Sequence, residues 1–101
     1  RAAYIVQNLM MRWVGERPLD VEVLGLRLRL YARANVAEKR LLYMPQFFDA
    51  EERHFVRQYL PKDGVFVDIG ANAGGYSLFA ARHCGPQAII LAVEPQRTLC
   101  E

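Results

Sequence analysis

Val65-Phe66-Val67-Asp68-Ile69-Gly70-Ala71-Asn72-Ala73-Gly74-Gly75-Tyr76 is the stretch on which the reading of this chain turns. Val65 to Ile69 is predicted as a short strand, residues 70–75 as a loop of small residues, and Tyr76 to His83 as a helix. Gly85 and Pro86 then make a turn, and Ala88 to Val93 forms a second strand. Apolar strands that do not alternate are expected where helices cover both faces of a parallel sheet. A helix of ten residues spans about 15 Å and a strand of five about 17 Å, so the helix returns the chain to the start of a parallel neighbour. The unit reads as β-α-β, with a right-handed crossover expected.

Upstream of this unit, Asp49 precedes Glu52 by three positions, the spacing of a capping box, and a helix from Ala50 to Leu60 is expected behind it. Phe55, Val56, Tyr59 and Leu60 would form its apolar stripe, ended by Pro61 and Gly64. Residues 32–48 are weakly patterned, with Phe47 and Phe48 anchoring the next element. Between Val21 and Tyr31 apolar and charged residues alternate, which predicts half-buried strands, a hairpin bent at Gly25. Arg27, Arg29 and Arg33 would share its exposed side as a solvated face rather than a substrate-binding patch. Tyr4, Ile5, Leu9, Trp13 and Val14 recur at helical spacing, and a first helix over residues 2–14 is expected to pack that stripe on a core.

Composition bounds what the chain can be. Its 101 residues make at most one small domain, and 52% hydrophobic with 24% charged residues describes a globular sequence rather than a disordered one. A net charge of +2 is too small to argue for nucleic acid or an anionic membrane. Residues 1–62 hold 11 basic and 7 acidic groups, and residues 63–101 hold 2 basic and 4 acidic. Cys84 and Cys100 form no disulfide-dense pattern, so reduced thiols and a cytoplasmic setting are expected. The longest apolar run, Ala88 to Val93, is far short of the roughly 20 residues that span a bilayer, so no membrane span is expected. The chain opens on Arg1 without a methionine and stops at Glu101, and is read as a piece of a longer protein.

Strand, small-residue loop and helix in that order put the loop at the carboxyl edge of the sheet, where open α/β folds bind ligands. Gly70 and Gly74 allow a tight turn and close approach of backbone to a ligand. Glu94 follows Gly74 by twenty residues, at the end of the second strand, where it would accept hydrogen bonds from both ribose hydroxyls of a nucleoside. The charge of Asp68 separates two cofactor classes. A carboxylate two residues before the first glycine would repel the pyrophosphate of a dinucleotide, but it would attract the sulfonium and ammonium groups of S-adenosylmethionine. Asn72 stands where G-x-G-x-x-G has its second glycine, which further disfavours NAD.

The run VFVDIGANAGGYSLFAAR and the following AVEP resemble the FkbM-type family of S-adenosylmethionine-dependent methyltransferases, and the likeness extends back to FFDAEERHFVRQYLP, about half of the chain. The resemblance implies an α/β fold: an N-terminal helix and hairpin extension over residues 1–48, then the first β-α-β unit of a Rossmann-like class I methyltransferase sheet over 49–101, truncated after its second parallel strand. It implies that Asp68, Gly70, Asn72 and Gly74 line the methionine and sulfonium part of S-adenosyl-L-methionine, with Glu94 on the ribose. Tyr76, at the loop's exit, is a further candidate contact beside a packing role. It favours O-methylation of a small-molecule, polyketide or sugar hydroxyl by the full-length protein, the isolated piece being inactive.

No residue identifies itself as catalytic. His54, His83, Cys84 and Cys100 have no metal-ligand spacing, and Ser77 lacks a nucleophile-elbow context. Other readings are an NAD(P)-binding oxidoreductase domain and a non-catalytic interaction module that keeps the nucleoside-binding fold. In a reading without ligand, Asp68 caps the helix after it and Glu94 the next one. An incomplete sheet would also leave an uncovered edge through which the piece self-associates.

Overall fold

Alternating leucines make the first sheet. Leu19–Val23 (β1) and Leu26–Leu30 (β2) pair antiparallel, with Leu19 opposite Leu30, Val21 opposite Leu28 and Val23 opposite Leu26, so one face is apolar throughout. The other face sets Asp20 against Arg29 and Glu22 against Arg27. Leu24 and Gly25 turn the hairpin at φ 52° and 73°, the two positive values that a tight two-residue connection requires. Arg29 closes a fork on Asp20, Nε to Oδ1 at 2.7 Å and Nη2 to Oδ2 at 2.9 Å, so the arginine face is a solvated one with a cross-strand ion pair.

The computed structural model describes residues 2–15, 17–33 and 35–100, with backbone alone for Ala3, Tyr4, Gln7, Met11 and Val14. The chain divides into two compact units, Arg1–Phe48 and Asp49–Glu101.

In the first unit the hairpin's apolar face is closed by a helix that the weak patterning of residues 32–48 concealed. Val36–Tyr43 (α2) starts at Asn35, whose Oδ1 accepts from the amides of Ala37 at 2.9 Å and Glu38 at 3.4 Å. Leu28, Leu30, Leu41 and Phe48 form the core, and Glu38, only 3% exposed, accepts the backbone amide of Tyr31. A 3-10 turn, Pro45–Phe47, follows; Phe47 is exposed and Phe48 is buried in the hairpin core, so the pair does not serve as the expected anchor of the next element. The first helix, Ala2–Val14 (α1), forms as expected, but Ile5, Leu9 and Trp13 of its stripe are exposed, Trp13 by 95%. The side chains of Tyr4 and Val14, the rest of that stripe, lie outside the described residues.

The second unit comprises Ala50–Tyr59 (α3), Val65–Ile69 (β3), Gly75–His83 (α4), Ile89–Val93 (β4) and Arg97–Cys100 (α5). Strands β3 and β4 pair parallel, from Val65 opposite Ile89 to Ile69 opposite Val93, and α4 packs on both. The described residues are thus mixed α/β with two small sheets. Phe66, Asp68 and Ile90 share one half-buried face of the pair. On the other face Val65, Val67, Ile69, Ile89, Leu91 and Val93 are all exposed, Ile69 by 83%. The expected cover on both faces is therefore present on one, because α4 is the helix that the connection between these strands supplies.

Helix α3 starts at Ala50 as expected, but departs from its expected cap and stripe. Asp49 sits in the left-handed region at φ 44°, ψ 52°, and its side chain makes no capping hydrogen bond, so the capping box does not form. The residue that α3 buries is Arg53. The guanidinium carbons of Arg53 and Arg57 lie 5.8 and 5.1 Å from the ring centre of Phe79, a cation–π arrangement on α4. Phe55 and Tyr59 stay exposed, with ring centres 4.5 Å apart. Among the described residues no helix is long and apolar enough to cross a membrane.

Candidate functional site

The loop after β3 is held from below by backbone. Gly70 and Ala71 both donate to the carbonyl of Val93, at 2.8 and 3.0 Å, which fastens the loop to the end of β4. Gly70 and Gly74 each have φ +77°, a conformation that side chains oppose, and a Cβ at either position would meet nothing within 4 Å. Their outward side is therefore bare backbone beside open space. Asn72 also has positive φ, 52°, and its Oδ1 accepts the amide of Ala73 at 2.7 Å, the local bond that makes asparagine tolerable there.

Two carboxylates flank this loop. Glu94 accepts the amide of Asn72 on Oε2 and that of Gln96 on Oε1, both at 2.8 Å, and so ties the loop to the segment after β4. A carboxylate offers about four lone-pair positions, and these bonds use two of them. Asp68, one residue from the end of β3, turns its Oδ2 to Ser77, accepting the amide at 3.1 Å and the hydroxyl at 2.7 Å. Its Oδ1 accepts no hydrogen bond from the described residues. Both acids thus make the contacts of the ligand-free reading, Asp68 on the first turn of α4 and Glu94 ahead of α5, and both retain acceptor capacity beyond them.

Tyr76 donates its hydroxyl to Asp49 Oδ2 at 2.8 Å. Burial, followed by that hydrogen bond and the negative charge of Asp49, pushes its phenol well above the usual value of 10.0, so it stays protonated. Its ring, with Asp68 and Phe66, lines an open cleft of about 480 Å³ whose opposite wall is Glu51, Glu52 and Phe55 of α3. The sequence candidates Asp68 and Tyr76 therefore meet at this cleft. Gly70, Asn72, Gly74 and Glu94 gather at the loop instead, joined by the bond from Asn72 to Glu94.

Two residues join the site in roles the sequence does not suggest. Ser77, 9% exposed, holds Asp68, and the signal for it was its place as third residue of α4, where an amide without a helical partner needs an acceptor. Asp49 holds Tyr76, a role hidden because the string Asp-Ala-Glu-Glu scores as a capping box. His83, Cys84 and Cys100 bond to backbone carbonyls. His83 Nε2 lies 3.1 Å from the carbonyl of Leu60, Cys84 reaches Pro61 O at 3.6 Å, and Cys100 reaches Glu94 O at 3.3 Å. Among the described residues no group of three His, Cys, Asp or Glu side chains could hold a metal ion.

Comparison with known proteins revises the family. No curated protein and no solved structure matches the chain. The resemblance to FkbM-type methyltransferases is overturned by a family model described as Vibrio cholerae RfbT protein, which matches residues 14–101. A strand, a glycine loop and an acid at the next strand's end form a local architecture that unrelated families share, so the motif alone could not discriminate between them. The match covers most of the hairpin unit as well as the loop, and on that extent the chain belongs to the Vibrio cholerae RfbT protein family.

Proposed function

We propose that residues 49–101 form the opening of a Rossmann-like, class I S-adenosylmethionine site, and that the full protein is an S-adenosylmethionine-dependent methyltransferase. The observation that carries this is the pairing of a bare glycine loop with two half-buried carboxylates, Asp68 and Glu94, at the ends of adjacent parallel strands. The two acceptors fit the group. Glu94 keeps two lone-pair positions for ribose hydroxyls, and Asp68 presents Oδ1 to a cationic end. A dinucleotide fits less well, since its pyrophosphate would lie over a loop preceded by a carboxylate.

When bound, S-adenosylmethionine supplies an activated methyl group, so what remains to the protein is alignment and exclusion of water. Glu94 and the amide of Asn72 hold the loop's outer shape, and Asp68 orients the cofactor's charged end. A small-molecule acceptor accords with the net charge of +2, which offers little to a polyanion. Only the FkbM resemblance implied a polyketide or sugar hydroxyl, and no residue described above selects either.

Calorimetric titration of the full chain with S-adenosylhomocysteine and, separately, NAD tests the reading. Saturable heat with the first and none with the second is expected. NAD binding without an adenosylhomocysteine signal would replace it with an oxidoreductase reading.

A further inference from the structure

We propose that Ser77 is a positioning residue for the cationic end of the cofactor, acting through Asp68; the inference rests on the S-adenosylmethionine reading above. Asp68 reaches the cleft from β3 and, as a short side chain, has few rotamers from which to choose. Ser77 selects one of them. Its amide and hydroxyl converge on the same oxygen, Oδ2, at 3.1 and 2.7 Å, and Ser77 is itself 9% exposed. Two donors on one oxygen fix the plane of the carboxylate and leave Oδ1 as the acceptor for whatever enters the cleft.

A serine serving only the helix would need no such aim. The amide of Ser77 is backbone and keeps its bond to Asp68 whatever the side chain, so the hydroxyl is the part that substitution can remove. If the hydroxyl orients Asp68 toward positive charge, its loss is felt by ligands that carry the charge and not by those that lack it. Adenosine and S-adenosylmethionine make that distinction, because they share the nucleoside and differ in the methionine part with its ammonium and sulfonium.

Binding of both to the full chain is therefore measured for wild type, Ser77→Ala and Ser77→Thr. Ser77→Ala is expected to weaken S-adenosylmethionine about tenfold, the scale of one hydrogen bond to a charged group, and to leave adenosine within about twofold. Ser77→Thr keeps the hydroxyl and should restore the wild-type affinity for both. Equal weakening of both ligands by Ser77→Ala would overturn the proposal, assigning Ser77 to loop construction alone. Unchanged affinity for S-adenosylmethionine would overturn it too while leaving the cofactor reading intact, and a wild-type chain that binds neither ligand would overturn both.

Discussion

The hairpin β1–β2 and the parallel pair β3–β4 are both pairings of five-residue strands rich in aliphatic side chains, and they dispose of those side chains differently. In the hairpin, Leu28 and Leu30 point to a face that α2 and Phe48 close, and the charged residues between them point to water. In the parallel pair, Val65, Val67 and Ile69 stand opposite Ile89, Leu91 and Val93 on a face that remains exposed, while α4 packs on the sheet and Asp68 turns to Ser77 on that helix. Apolar sequence therefore marks what a strand can bury, and the elements the connection supplies decide what it does bury. The hairpin uses its alternation for its own core, whereas in the parallel pair the polar groups at the strand ends, Asp68 and Glu94, bond to the loop and to the helix that follows it.

Core truncation should separate the two regions most sharply. Leu30→Ala removes a side chain that is 3% exposed and should cost about 2–4 kcal/mol in urea unfolding. Leu91→Ala, on the exposed face, should cost no more than about 0.5 kcal/mol at low protein concentration. A large cost for Leu91→Ala that grows with protein concentration would break the contrast, since the parallel sheet would then be buried by self-association.

Within the hairpin unit, polar burial is the next largest effect. Glu38→Ala leaves the amide of Tyr31 without its acceptor and should destabilise by about 1–3 kcal/mol in the same assay. Glu38→Gln, which retains an oxygen acceptor, should recover part of that loss. No difference between the two variants would show that the apolar part of the side chain matters and the bond does not.

A smaller effect should appear in the second unit at alkaline pH. The folded state holds the Tyr76 proton more tightly than the unfolded chain, because burial and Asp49 both oppose the phenolate. Its contribution is fully present below pH 10 and is lost as pH rises beyond that value toward the higher folded one. Subtracting the stability–pH curve of Tyr76→Phe from that of wild type should expose this decline. Parallel curves above pH 10 would remove the Tyr76–Asp49 bond from the account.

The contrast also explains what the sequence disclosed. The β-α-β unit was legible because Val65–Ile69 and Ala88–Val93 are apolar runs bounded by glycine and proline, and the mixed α/β class followed from them. Helix α2 was not, because its pattern of Val-Ala-Glu-Lys-Arg-Leu-Leu-Tyr is only partly amphipathic and its cap, Asn35 with Glu38 three residues on, was the stronger sign. At the site, the two acids and two glycines announce themselves by type and spacing. The partners of Asp68 and Tyr76 do not: Ser77 and Asp49 matter through tertiary contacts, and the left-handed backbone at Asp49 contradicts the local preference for a cap. The family was out of reach for a related reason: the loop was legible, but membership rests on a match over residues 14–101.

The central claim is that the Asp68 carboxylate recognises positive charge on a nucleoside cofactor, and calorimetry of wild type and Asp68→Asn with S-adenosylmethionine tests it most directly. Asparagine retains an oxygen that accepts from Ser77, so the start of α4 keeps its contact while the charge is removed. The account predicts saturable binding to wild type and at least about a tenfold loss in the variant, as for a charged hydrogen bond. Equal affinity for the two proteins would contradict it.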